Sequence, residues 1–336
     1  MYQTVNAYDR VAMLRINRLM FVISMHNQDI SADARIFPHL GDKISYLYVE
    51  HCRIEQEDSS IVLLQKGTRT PIPIGVIACL ICGPGTTVTH RAIQACGDNQ
   101  TLLVWSGEQM RTFYASGMYE NKSSQNLLRQ IDYFSNKHKH LEVARCMYTD
   151  RFPGLDMSGM NMNQMRGAEG TRMKKLYQEL ASKYNVQWNN RNYKSQDFDA
   201  QDDINKALTY GNHLLYNVCH AAIVTLGFSP AIGFIHSGSM RSFVYDVADL
   251  YKESITITPA FQIMSDGYHV DLGSDVRQAV RAAMQEHKLL KCVTKDLYKM
   301  FEIDNAPETL STGIWDNVIT YQEFQSKTLW GQKNTI

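Results

Sequence analysis

The sequence predicts an α+β protein: a small N-terminal β domain with one short helix, linked to a larger all-α C-terminal domain. Three observations predict it. Short apolar or alternating runs, separated by turn residues, fill the first third of the chain. A polar stretch follows near residue 120. Beyond it the apolar residues recur at helical spacing.

The strand runs are Ile44-Ser-Tyr-Leu-Tyr-Val-Glu50, Ser60-Ile-Val-Leu-Leu-Gln65, Gly75-Val-Ile-Ala-Cys-Leu-Ile-Cys82 and Thr101-Leu-Leu-Val-Trp105. Glu57-Asp-Ser-Ser60, Lys66-Gly67, Gly83-Pro-Gly85 and Gly97-Asp-Asn99 punctuate them. Thr89 to Gly97 reads as a single helix. This places a β domain at 1–117, a linker at 118–124, a helical domain at 125–305 and a tail at 306–336. Leu127, Leu128, Ile131 and Phe134 begin the helical pattern. The clearest helix is Asp203 to Leu226: Ile204, Leu208, Leu215, Val218, Ala222 and Leu226 share a face, aspartates open it and Gly227 closes it. A further helical segment runs from about 272 to 301.

Apolar residues make up 44% of the 336 and charged residues 20%, enough to build a core. No apolar run approaches the roughly 20 residues of a membrane span, and the N-terminus lacks a signal-peptide layout. The expectation is a cytoplasmic protein without a membrane. Seven scattered cysteines form no disulfide framework. The Cys79/Cys82 pair has no second pair to complete a zinc site, so small apolar residues in a strand is the favoured reading. Lys plus Arg equals Asp plus Glu at 34 each, so net charge gives no sign of nucleic acid. There is no Walker loop, GxGxxG or GxSxG.

Three clusters carry possible chemistry. In the helix from Gln164, Glu169 falls on the apolar stripe Met165, Met173, Leu176, Leu180, Tyr184. A carboxylate there is costly unless paired or metal-bound. Arg166, Arg172, Lys174 and Lys175 surround it, so a structural ion pair and a metal ligand both remain open. Next, His236 closes the run from Ala231 and enters a Gly/Ser turn. Asp246, Asp249 and Glu253 follow on one helical face, with Val244, Val247, Ala248 and Tyr251 opposite. Carboxylates with one histidine suit Mg2+ or Mn2+ better than zinc; a solvated acidic face beside a core histidine is the other reading. The third cluster is the row Arg277, Arg281, Lys288, Lys291 and Lys295, which is either a phosphate-binding stripe or a solvated face.

Taken in order, several runs resemble CRISPR-associated protein one, the CRISPR adaptation integrase/endonuclease, in its type I-E branch. They are Tyr8-Asp-Arg-Val-Ala-Met13, Ile72-Pro-Ile-Gly-Val-Ile-Ala-Cys79, Pro84-Gly-Thr86, Leu102-Leu-Val-Trp-Ser-Gly-Glu108 and Tyr114-Ala-Ser-Gly117. They continue with Arg166-Gly-Ala-Glu-Gly-Thr-Arg172, Trp188 with Arg191 and Tyr193, Pro230-Ala-Ile-Gly-Phe-Ile-His-Ser-Gly238, Ser242-Phe-Val-Tyr-Asp-Val-Ala-Asp249 and Asp275-Val-Arg277.

The resemblance implies a metal-dependent enzyme that joins prespacer 3′-hydroxyl ends to the CRISPR repeat by transesterification, with associated endonuclease activity. It implies Mg2+ or Mn2+ on Glu169, His236 and Asp249. Asp246 and Tyr216 are expected in the active site. Arg111, Arg166, Arg172, Lys175, Arg277, Arg281 and Lys288 are expected at double-stranded DNA. It implies a homodimer joined to a second, small adaptation protein, with or without a fused exonuclease domain. A nuclease acting alone on branched DNA and a non-catalytic DNA-end scaffold are the alternatives. The chain departs from the family around 14–42, which reads as an insertion, and at Gly83, Thr87 and Thr112. The family aromatic that wedges a DNA end falls among Tyr46, Tyr48 and His51.

Overall fold

Strands form where branched and aromatic residues alternate with turn residues, and they assemble into two four-stranded sheets. The computed structural model describes residues 46–58, 60–65, 67–108, 113–117, 123–191, 201–267 and 269–303. The insertion at 14–42, the tail at 306–336, most of the expected linker, Arg111, Tyr193 and the run from Tyr8 lie outside them.

The first sheet has the order β1 (Leu47–Val49), β5 (Cys79–Cys82), β7 (Leu102–Ser106), β8 (Phe113–Gly117). β1, β5 and β7 run parallel, and β8 closes the edge antiparallel to β7. The Cys-Leu-Ile-Cys strand is central and buried throughout, as a continuous apolar run in a parallel sheet should be. Cys79 and Cys82 are free buried thiols there, and burial pushes Cys82 up to about 12. The second sheet has the order β4 (Thr68–Pro73), β3 (Ser60–Gln65), β2 (Arg53–Glu57), β6 (Thr87–Val88). Pro71 sits on its edge strand, where no ladder amide is missed. Helix α1 (His90–Asp98) is N-capped by Thr89, whose hydroxyl accepts from the Ala92 amide.

Helices follow: α2 (Gln125–Ser135), α3 (Lys137–Arg151), α4 (Met162–Tyr184), α5 (Asp203–Thr225), α6 (Ser242–Asp249), a π-helical turn (Glu253–Ile257), α7 (Thr258–Ser265), α8 (Leu272–Glu286) and α9 (Leu289–Met300). Asn161 and Gln164 form a capping box that starts α4. Its stripe packs as expected, with Met165 and Leu180 buried and Met173, Leu176 and Tyr184 against the core. Helix α5 begins at an Asp202 cap. It is buried on nearly every face and not on one stripe alone, because α6, α7, α8, α9 and the first sheet all pack around it.

The segment from 272 is two helices. His287 ends α8, and Lys288 takes a left-handed conformation at φ 48° before α9. Arg277 and Arg281 therefore do not share a helix with Lys288, Lys291 and Lys295. They turn to the strands instead. The Arg281 guanidinium lies over the Tyr46 ring at 4.6 Å and donates to the Tyr46 carbonyl, and Arg277 lies over Tyr48 at 5.7 Å. The Tyr46 hydroxyl donates to the Arg277 carbonyl. These contacts dock β1 on α8, and one core runs from the first sheet into the helices. The described residues fall in one unit, Pro38–Ile336. Among them no helix is long and apolar enough to cross a membrane.

Candidate active site

Helices α3, α4 and α6 bring Arg151, Glu169 and Asp249 together. Glu169 sits mid-helix on α4. Its Oε2 accepts from the Tyr148 hydroxyl at 2.9 Å, and its Oε1 is in short contact with Arg151 Nη1. The same Nη1 lies 3.3 Å from Asp249 Oδ2. One guanidinium nitrogen thus bridges two carboxylates from separate helices. The ion-pair reading of Glu169 is realised, with Arg151 as partner and not the neighbouring Arg166 or Arg172.

Asp249 is 7% exposed. Its Oδ1 is in ion-pair contact with Lys252, although the geometry there is not that of a directed hydrogen bond. Burial alone would raise the Asp249 carboxyl; the charges of Lys252 and Arg151 outweigh it and hold the group below its ordinary range. Burial likewise pulls the Lys252 ammonium down, and Asp249 with Tyr216 pushes it above its usual value. Tyr216 projects from α5 into this group. Its ring lies 4.9 Å from Lys252 Nζ and meets Tyr245 edge-on at 5.0 Å. Tyr245 in turn meets the His236 ring at 5.9 Å.

Asp246 does something different from its expected role on an acidic face. It is 1% exposed. Oδ2 accepts from the Phe234 and Ile235 amides, the latter at 3.0 Å, and Oδ1 accepts from the His236 amide at 2.8 Å and His236 Nδ1 at 2.7 Å. One carboxylate thereby folds the Gly-Phe-Ile-His loop around itself. Gly233 is required by this closeness, since a Cβ there would stand 2.5 Å from the His236 carbonyl and 2.9 Å from Asp246 Oδ2. With Nδ1 committed, Nε2 is the imidazole nitrogen left for a ligand. The Asp246 hydrogen bond is the largest of the influences that raise the His236 imidazole.

Arg166 donates to the Ile235 carbonyl at 2.6 Å and ties α4 to the same loop. Of the other basic residues, Arg172 is exposed and lies over Phe152, Lys175 pairs with Glu179 on the α4 surface, and Lys288 is exposed. The structure therefore brings together Glu169, Asp249, His236, Asp246 and Tyr216. Arg151, Lys252 and Tyr148 join them without having been singled out in the sequence. Lys252 was findable, three residues past Asp249 on the same helical path. Arg151 was not, because its partners lie 18 and 98 residues away.

A metal fits this donor set in kind: two carboxylates, each anchored by one oxygen, stand beside an imidazole oriented by a buried aspartate. As the side chains stand, no three His, Cys, Asp or Glu among the described residues converge enough to share one ion. What occupies the space between the two carboxylates is Arg151.

The family described as CRISPR associated protein Cas1 matches residues 45–155 and 155–270 of this chain. The CRISPR-associated endonuclease Cas1 of Clostridium sp. (strain SY8519) is 39% identical over 285 residues, covering 83% of this chain and 94% of that protein. A crystal structure of a TtCas1–DNA complex superposes with a TM-score of 0.60 at 39% identity, covering 77% of this chain and 97% of the other. A Thermotoga maritima CAS1 protein shares the fold at 15% identity and a TM-score of 0.63, over 76% of this chain and 95% of its own.

Proposed function

This chain belongs to the CRISPR-associated Cas1 family, and from that premise we propose that it is the metal-dependent integrase of CRISPR adaptation, type I-E branch, which joins prespacer 3′-hydroxyl ends to the repeat by transesterification. The observation that carries the reading is the pair Glu169 and Asp249 held by one cation beside a histidine whose Nδ1 is fixed by a buried aspartate.

Glu169, Asp249 and His236 Nε2 would hold Mg2+ or Mn2+. The bound ion would supply Lewis-acid polarisation of the scissile phosphate. Everything else falls to the chain. Asp246 keeps the His236 proton on Nδ1 and stops the ring from turning. Tyr148 and Lys252 orient the two carboxylates from behind, each through the oxygen that faces away from the shared cation. Lys252 also carries Tyr216, whose hydroxyl burial keeps protonated, so that it can donate to a phosphate oxygen. Arg166 sets the distance between α4 and the histidine loop. Joining exchanges one phosphodiester for another, so no nucleotide is consumed.

Double-stranded DNA, both prespacer and repeat, is the proposed substrate. Arg111, Arg172, Lys175 and Lys288 would carry its phosphates. Arg277 and Arg281 belong to the interior seam with β1, and Arg166 to the histidine loop. Of the three aromatic candidates for a DNA-end wedge, His51 is exposed while Tyr46 is buried. A homodimer, a small second adaptation protein with or without an exonuclease domain, and a cytoplasmic setting complete the proposal.

The test mixes the protein with that partner, a duplex bearing free 3′-hydroxyls and a supercoiled plasmid with a repeat array, in Mg2+, Mn2+ or EDTA. Joined product is expected with metal and lost in Asp249→Ala and Glu169→Gln. A folded Glu169→Ala protein that joins normally would refute the assignment. The relatives are named endonucleases, which favours a second reading: water in place of the 3′-hydroxyl, giving cleavage without joining in the same assay.

A further inference from the structure

We propose that Arg151 is the resident cation of this site and that a divalent metal binds only by displacing it. The inference rests on the metal reading above and adds the competitor.

Each carboxylate divides its two oxygens. Glu169 gives Oε2 to the Tyr148 hydroxyl, and Asp249 gives Oδ1 to Lys252. The remaining oxygens, Glu169 Oε1 and Asp249 Oδ2, are the two that Arg151 Nη1 holds. They are the pair a metal would need. An oxygen bound to a divalent ion at about 2.0–2.6 Å leaves no room for a guanidinium nitrogen between the same two groups.

The two cations differ in which oxygens they hold and in what else holds them. Lys252 is mostly buried and is held by Tyr216 as well as Asp249, so it stays as the counter-charge in either state. Arg151 is the last residue of α3. Its guanidinium also lies 4.9 Å from the Phe152 ring, and its side chain is 10% exposed. Phe152 is already outside helical geometry, at φ −126° and ψ 68°. Helix α3 therefore need not unwind for the guanidinium to leave the carboxylates, but a mostly buried side chain has to move out to make way for the ion. With Arg151 in place the two acids are neutralised and kept apart. With it displaced, the carboxylates repel unless the incoming ion replaces its charge.

The full-length protein, without DNA, is titrated with Mn2+ while the paramagnetic resonance signal of free Mn2+ is followed. Arg151→Met is expected to bind Mn2+ about tenfold or more tighter than wild type, since it removes a competing charge in contact with both ligands. Arg151→Lys, whose ammonium reaches one carboxylate at a time, is expected between them; it retains a charge at the site if the methionine variant does not fold. Mn2+ is also expected to raise the melting temperature of Arg151→Met more than that of wild type. Affinity equal to or weaker than wild type in the Arg151 variants, with Asp249→Asn still abolishing binding, overturns the displacement and leaves the metal reading standing. Tightening that survives Asp249→Asn in the Arg151→Met background overturns it as well, because the ion then sits elsewhere. No Mn2+ bound by wild type or variant overturns the metal reading and this inference with it.

Discussion

Replacing Asp246 by asparagine changes almost no volume and tests most of the site's logic. The native carboxylate accepts four hydrogen bonds, two on each oxygen: the Phe234 and Ile235 amides on Oδ2, and the His236 amide and imidazole on Oδ1. An asparagine presents one acceptor oxygen and one amino group. If the amino group replaces Oδ2, two backbone amides lose their acceptor. If it replaces Oδ1, only the His236 amide is stranded, because the imidazole can turn its Nδ1 into an acceptor. At about 1.5–3 kcal/mol per charge-assisted bond lost, the second arrangement is cheaper and costs about 2–3 kcal/mol. That is a substantial part of a total stability of about 5–15 kcal/mol, yet the fold should survive. The consequence is chemical: the ring proton moves to Nε2, and the nitrogen meant for a ligand is blocked. Mn2+ affinity should fall about 10–100-fold, the usual effect of losing such a supporting partner. Thermal unfolding gives the stability, Mn2+ titration gives the affinity, and nitrogen NMR of the His236 ring reads the tautomer. An Asp246→Asn protein with wild-type melting temperature and wild-type Mn2+ affinity would refute the reasoning.

Gly233→Ala forces a Cβ to 2.5 Å from the His236 carbonyl; it should destabilise by about 1–3 kcal/mol and weaken Mn2+ binding, both read by the same two measurements. Arg281→Ala should lower stability by about 1–2 kcal/mol through the lost Tyr46 contacts and leave the salt slope of DNA binding unchanged, measured by fluorescence anisotropy at several ionic strengths. His220 is buried, and burial with the nearby Arg241 charge pulls its imidazole from 6.5 to about 4. Between those pH values the unfolded chain binds a proton that the folded chain refuses. The resulting stability is complete above pH 6.5 and is lost as pH falls toward 4, by about 3 kcal/mol. Denaturant unfolding of wild type and His220→Leu across that range should show the difference, and a wild-type slope retained in the variant would remove His220 as its cause.

What the sequence disclosed depended on the distance between partners. The α4 stripe and the Asp202 cap of α5 are local patterns, and both folded as read. Asp246 was recognised as important but placed on an acidic face, because its partners are the backbone amides of Phe234, Ile235 and His236. Amides carry no side-chain signature, and the loop's curvature cannot be seen from residue types. The basic row misled for a related reason. Its spacing assumed one continuous helix, and the break falls at Lys288, a residue with no propensity for left-handed backbone. Arg277 and Arg281 then look solvent-bound only until Tyr46 and Tyr48 are brought back from more than 200 residues upstream. Arg151 had no signature of any kind; an arginine in the last turn of a helix is commonplace until two other helices deliver their carboxylates to it.

The π-helical turn at Glu253–Ile257 carries one residue of slack ahead of α7. It holds one residue more per turn than an α-helix would, and the Thr256 hydroxyl bridges the Lys252 carbonyl at 3.0 Å and the Asn212 side-chain amide at 2.8 Å. Deleting a single residue here would let the chain wind on as plain α-helix with α7 facing as before, because the residue lost is the one the wide turn absorbs. Phe261 would keep its place against Trp188 and Tyr177, whereas a deletion inside α7 itself would turn the residues after it by about 100°. One-residue deletions at this turn should accordingly be commoner in working descendants of the protein than deletions elsewhere in its helices. The loss of one residue at this turn is slack taken up, and the helix after it keeps its direction.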